Sequence, residues 1–539
     1  MTRHLALAVI LLAALNPEAR ADTYLRQPGI DAVHYVFRLT LLTDASSEIR
    51  GEATVRLKVV ADGVKEAALD LASPADGKGM TVDAVSAGGR PVVFAHQGDR
   101  LRIALPSPPA RGQELVLAIQ YHGVPAGGLR LIQNIHGSRT AFSENWPNKA
   151  RQWLPMVDHP YDKATGEFIV TAPAEYQVVA NGRLVEELDL ANGLRRTHWS
   201  QGLPVASWLY AIGVARFAVH HLEPVGGVPL QSWVFPEDRE TGYGLFDVTA
   251  RQAVEFFSDR IAPYPYEKLA NVEAAGMGGG TEHATAIFYG EKGVTAGRGP
   301  VVHEIAHQWW GDAVTERDWD DVWLSEGFAT YFTHLFNEHH QGHDAFVAGL
   351  KRDITTVIQA EQKSPDTPVI HRNLADMRAV LNRFVYQKGS WVLHMLRGLV
   401  GDAAFWDAIH TYYRRYEHGN ASTDEFRQVV EQASGKDLAW FFRQWLNRPG
   451  VPRIEGSWRY DAARKQIEIT IAQTQAGEPF RLPIELGITS AGQAATRIER
   501  IELTERTGRF SCPADTEPAA VVLDPGTWLL VEEGPFIKG

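Results

Sequence analysis

Between residues 30 and 220 apolar and polar positions alternate in short runs. Ala53, Val55, Leu57 and Val59 are interleaved with Thr54, Arg56 and Lys58, the period of two expected of a strand with one buried face. Turn clusters at Asp62-Gly63, Ala87-Gly88-Gly89 and Asn181-Gly182 separate such runs. A Pro/Gly-rich stretch at 223–229 marks a boundary, and the spacing then changes. Phe246, Ala250, Ala253, Phe257 and Ile261 recur at steps of three and four, which places them on one helix face. Helical spacing continues through 300–340, 391–416 and 424–446, until Arg448-Pro449-Gly450-Val451-Pro452 stops it. Beyond that, Ile467, Ile469 and Ile471 alternate with Glu468 and Thr470. The pattern predicts an α+β multidomain chain. A β-rich N-terminal domain spans 22–222, a mainly helical domain 223–448 and a small β-sandwich 449–539.

Length and composition narrow the chemistry. The chain has 539 residues, enough for roughly two to four ordinary domains. Hydrophobic residues at 45% and charged residues at 22% give the balance of a folded protein, not a disordered one. With 53 Lys and Arg against 65 Asp and Glu, the net charge is −12, and no basic stripe restores a footprint for nucleic acid. The single cysteine, Cys512, excludes an intramolecular disulfide and a thiolate zinc cage. Any metal must therefore be held by histidines and carboxylates.

Residues 1–21 read as an export signal. Arg3 and His4 precede an apolar run over 5–15, shorter than the roughly 20 residues that cross a bilayer. Ala19-Arg20-Ala21 then gives a small-x-small cleavage pattern. The mature chain is expected to begin near Asp22 and to be exported, either periplasmic or secreted. No other segment is apolar enough over sufficient length to be expected to span a membrane.

The chemistry concentrates at His303-Glu304-Ile305-Ala306-His307. Two histidines four apart lie one turn above each other on a helix face, so both imidazoles can reach one ion. Glu304 projects about 100° further round, beside such an ion, where a general base acting on a metal-activated water belongs. Eighteen residues after His307 comes Glu326, within Trp323-Leu324-Ser325-Glu326-Gly327-Phe328-Ala329-Thr330-Tyr331, which also reads as a helix. A short turn between the two helices would bring Glu326 against the histidines. Two histidines and one glutamate leave a tetrahedral position open, as catalytic zinc requires.

This constellation, extended by His307-Gln308-Trp309-Trp310-Gly311-Asp312 and by the segment around Glu326, resembles the gluzincin zinc aminopeptidases. That family includes aminopeptidase N and the leukotriene hydrolases. The resemblance covers nearly the whole mature chain. It implies a thermolysin-like catalytic domain in the middle, one zinc ion on His303, His307 and Glu326, and a short form without the large C-terminal helical domain of many members.

Further roles follow from the resemblance. Tyr386, in Tyr386-Gln387-Lys388-Gly389-Ser390 sixty residues beyond Glu326, matches the tyrosine whose O–H stabilises the oxyanion. Gly279-Gly280-Thr281-Glu282-His283 matches the loop whose glutamate grips the substrate's α-amine. Glu282 keeps the carboxylate, while Thr281 and His283 replace the family's methionine and asparagine. Gly279 and Gly280 give that loop an edge a peptide can approach closely. Residues 154–165 resemble the family's Pro-Cys-x-Asp-x-Pro-x-x-Lys-Ala segment. A second amine-binding Glu or Gln, five residues before the position of Arg151, is Trp146 here, with Glu144 two residues earlier. If neither replaces it, amine recognition rests on Glu282 alone and selectivity is looser.

The implied activity is zinc-dependent hydrolysis of the N-terminal peptide bond, with Glu304 as base and peptides bearing a free N-terminus as substrates. Two rival readings stay open. One is an endopeptidase or an epoxide-type small-molecule hydrolase on the same site; the other is a catalytically silent exported peptide-binding protein. Trp309, Trp310 and Trp323 are expected to pack the core, Cys512 to be a small core residue, and Asp320 or Asp321 to be able to orient a histidine.

Overall fold

The computed structural model describes residues 22–105, 107–371, 374–490 and 496–539. The expected export signal at 1–21 lies outside them. Among the described residues no helix is long and apolar enough to cross a membrane.

The N-terminal region is built on an eight-stranded sheet. Strand Ile30–Thr40 lies at its middle, antiparallel to Ile49–Val59 and parallel to Lys163–Pro173. The alternation along 53–59 appears as burial: Ala53, Val55, Leu57 and Val59 are buried, whereas Arg56 and Lys58 are exposed. A four-stranded sheet contributes Arg139–Ser143 and the buried strand Ile212–Ala215.

Hairpin Ala218–Val225 and Val228–Val234 opens a further, five-stranded sheet that continues through Leu269–Ala274 and Ala286–Gly290. The two-residue strand Gly280–Thr281 forms its edge. Helix Arg239–Arg260 turns Phe246, Ala250, Ala253 and Phe257 inward. Behind the sheet stand helices Val301–His307, Trp323–Gln341, His343–Lys363 and Gly389–Val400, followed by three more up to Leu446. Trp309, Trp310 and Trp323 are wholly buried. Trp310 packs 4.8 Å from Phe328 and 5.2 Å from Phe332, ring to ring. These aromatics fix the histidine helix against the glutamate helix.

The C-terminal region is a four-stranded and a three-stranded sheet. Ile467, Ile469, Ile471 and Cys512 are buried there. The whole is the α+β arrangement that the hydrophobic pattern predicts, with a helical part between two β-rich parts in chain order.

Candidate active site

Helix Val301–His307 starts just after Pro300 and presents His303 and His307 on one face. The chain then reverses through Gly311, whose φ of +107° is a backbone region open to glycine. A side chain there would strike the Ser325 hydroxyl. Glu326 consequently enters from helix Trp323–Gln341 directly onto the imidazoles. The two Nε2 atoms are 3.1 Å apart, and each is 3.3 Å from Glu326 Oε2. His307 Nδ1 lies 2.9 Å from the Trp310 carbonyl oxygen and 3.0 Å from the Ser325 hydroxyl. A carbonyl can only accept, so Nδ1 carries a proton toward Trp310 and Nε2 is the nitrogen that faces Glu326. Asp321 instead accepts a bond from the Thr423 hydroxyl at 2.6 Å, and Asp320 one from the Leu374 N–H at 3.4 Å. Orientation of His307 comes from Trp310 and Ser325.

Two more carboxylates close the site. Ligand atoms of Glu282, Glu304 and His307 lie within 4.8 Å of one another, and Glu282, Glu304 and Glu326 are all buried. Burial, then the Glu282 charge, raises the Glu304 carboxyl well above its ordinary range. Burial likewise raises Glu282. For Glu326 burial pulls upward, but the His307 and His303 imidazoles outweigh it and bring the group to about 2. Burial disfavours the His307 imidazolium, yet Glu282, Glu326 and Glu304 hold it well above the usual range. Three carboxylates crowd two imidazoles, and the raised proton affinities of Glu304, Glu282 and His307 all register that crowding, which a bound cation would relieve.

Glu304 is held in place by what it lacks room to do. A Cβ on Gly280 would sit 2.5 Å from Glu304 Cγ, so the edge strand touches this carboxylate. Glu282 Oε1 accepts a bond from the Trp146 indole N–H at 3.2 Å, reaching across from the N-terminal domain. Glu144, two residues earlier, is taken by Lys149 at 2.6 Å and Arg130 at 3.5 Å. Trp146, and not Glu144, therefore attends Glu282. His283 is buried with its ring 4.9 Å from Phe288.

Tyr386 occupies a five-residue π-helical turn, Phe384–Lys388, that runs into helix Gly389–Val400. Such turns are rare and concentrate at functional sites. Gly389 crosses Gly327 of the glutamate helix so closely that a Cβ would lie 3.1 Å from the other Cα. The Tyr386 ring stands 6.0 Å from the His303 ring. Its hydroxyl is raised well above the ordinary tyrosine range by burial and by the Glu326 carboxylate it bonds.

His303, His307, Glu326, Glu304, Tyr386, Glu282, Gly279 and Gly280 all line one cleft of about 1050 Å³. Trp146 and Ser325 were not assigned these contacts from sequence. Trp146 stands where a glutamate or glutamine was expected, and that position was the available signal. Ser325 carried none beyond its place beside Glu326.

Residues 32–209 match the Peptidase M1 N-terminal domain and residues 251–445 the Peptidase family M1 domain. Aminopeptidase N of Streptomyces lividans is 27% identical over 519 residues, which covers 86% of this chain and 58% of that protein. Glutamyl aminopeptidase of Mus musculus is 26% identical over 367 residues, 65% of this chain and 38% of that protein. The match thus spans less than two thirds of either relative's length. The crystal structure of an M1 zinc metallopeptidase from Deinococcus radiodurans superposes with a TM-score of 0.68 at 25% identity, over 79% of this chain and 95% of that one. Two successive domain models of one family, in order and on either side of the cleft just described, show that the chain belongs to peptidase family M1.

Proposed function

We propose that this protein is a zinc aminopeptidase that removes the N-terminal residue of peptides. The observation that carries the reading is Glu282, a buried carboxylate set beside the His303–His307–Glu326 cluster. Two imidazole nitrogens and a carboxylate oxygen are donors that zinc accepts, and their ligand atoms lie within 4.8 Å of one another. When bound, it supplies Lewis acidity, acidifying an attacking water and polarising the scissile carbonyl.

The chain's own groups do the rest. Glu304 takes the proton of the attacking water and delivers it to the leaving amine, a task suited to a carboxylate whose proton affinity is raised. Tyr386 donates its O–H to the oxyanion. Glu282 accepts the substrate ammonium and, braced by Trp146, leaves room for one residue before the cut. The edge strand Gly280–Thr281 offers backbone for the substrate to pair with. The reading includes export, on the strength of the signal pattern in residues 1–21.

Hydrolysis of a free amino-acid arylamide against its N-acetyl form tests this. Blocking the amine is expected to slow cleavage by about 100-fold or more, because a buried carboxylate loses its charged partner. Equal rates would remove the aminopeptidase reading and favour the endopeptidase or small-molecule hydrolase. Glu304→Gln should keep zinc while lowering kcat by about 10²–10⁴.

A further inference from the structure

The cleft does not end at the histidines. Past Tyr386 it opens into an adjoining hollow of about 860 Å³, and Leu381, Arg383, Tyr386 and Gln387 are wall to both. Helix His343–Lys363 supplies the opposite side through Thr356, Gln359 and Lys363. Among the described residues lining the hollow there is no Asp or Glu, while Lys363 and Arg383 are both present. In a chain of net charge −12 this is a local reversal of sign.

Neither cation is spent on the protein. Among the described residues, no ion pair or hydrogen bond holds the side chain of Lys363 or Arg383. Arg378, nearby on the cleft wall, is by contrast paired with Asp376 at 2.8 Å. Arg383 precedes Tyr386 by three residues, and both line the cleft and the hollow.

Charge therefore changes sign along the cleft, from Glu282, Glu304 and Glu326 at one end to Arg383 and Lys363 at the other. A peptide has the complementary order: an ammonium first and a carboxylate last. Each extended residue advances the chain by about 3.3–3.6 Å, so a carboxylate one or two residues beyond the cut comes within reach of a long arginine side chain. Arginine binds carboxylates in a two-pronged fashion that a lysine supports as a point charge.

We infer that this hollow is a carboxylate-binding annex downstream of the scissile bond, which selects short peptides bearing a carboxylate one or two residues after the cut. The inference rests on the aminopeptidase reading. The carboxylate has two possible sources, the peptide's C-terminus or an acidic side chain, and the test separates them.

The measurement is kcat/KM for Ala-Ala-Ala, its C-terminal amide and Ala-Ala-Asp amide, with an alanine arylamide alongside. The parent is expected to prefer the free acid over the amide by about tenfold or more, the worth of one charge-assisted hydrogen bond. Arg383→Ala combined with Lys363→Ala should bring that ratio near one, and Arg383→Lys should keep part of it. Recovery with Ala-Ala-Asp amide supports the annex and identifies an acidic side chain as a source; no recovery, with the acid still preferred, identifies the C-terminus. Indifference of the parent to all three peptides, or an unchanged ratio in the double variant, overturns the annex. The arylamide, which has no downstream carboxylate, keeps the failures apart. If it is not cleaved, the aminopeptidase reading falls; if it is cleaved while the peptides are indistinguishable, only the annex falls.

Discussion

Trp146 lies 136 residues from the carboxylate it serves, at 3.2 Å from Glu282. A hydrogen bond to a charged group contributes about 1.5–3 kcal/mol, and tenfold in an equilibrium is about 1.4 kcal/mol. Trp146→Phe keeps the bulk and removes the donor. It is expected to raise KM for free-amine substrates about tenfold while kcat changes much less, read by steady-state kinetics on an arylamide. An unchanged KM would reduce Trp146 to packing. The spacing of His303, Glu304 and His307 was legible because one helix sets it, and Glu326 because it sits on the next α-helix. The Trp146 contact was not, since the direction of an indole N–H depends on how two distant segments dock. The same holds for His307: its proton is fixed by the Trp310 carbonyl at 2.9 Å, a backbone atom that leaves no trace in side-chain identity.

At the scale of elements, what was legible had a period. Strand 49–59 and the helix face at Phe246, Ala250, Ala253 and Phe257 are where alternation and three-four spacing put them. Two elements that matter most for the site have none. The edge strand Gly280–Thr281 has two residues, too few to show alternation, and the π-helical turn Phe384–Lys388 departs from the 3.6-residue repeat on which such reading depends. Both are shaped by close approach. Gly280→Ala places a methyl 2.5 Å from Glu304 Cγ, and a misplacement on the order of 1 Å costs about 100-fold in rate. Turnover is expected to fall by about that factor, with the zinc content and the unfolding midpoint little changed. Full activity would show that the edge strand does not position the base.

The whole molecule is tied together beneath the site. Lys163, on a strand of the N-terminal sheet, donates to the carbonyls of Asp312, Ala313 and Gly419 at 2.8, 3.1 and 3.2 Å. Burial pulls its amine down to about 7, against the Asp312 and Glu316 carboxylates. Lys163→Ala removes this donor; the Asp312 carbonyl keeps the Thr315 hydroxyl at 2.9 Å, and each buried carbonyl left without a donor costs about 1–3 kcal/mol. The variant is expected to lose about 2–4 kcal/mol in urea unfolding; a loss below ~0.5 kcal/mol would contradict the tie. Lys163 falls in the 154–165 segment noticed in the sequence, yet its reach into the helical part appears only once its strand is docked against Asp312, Ala313 and Gly419. The order of β-rich, helical and β-rich parts was visible throughout, because each part carries its own repeat. The most direct check of the central claim is zinc content measured together with arylamide turnover, in the parent and in Glu326→Ala. About one zinc ion per chain in the parent, with both zinc and turnover lost in the variant, is the predicted result. A parent that is metal-free and fully active would contradict it.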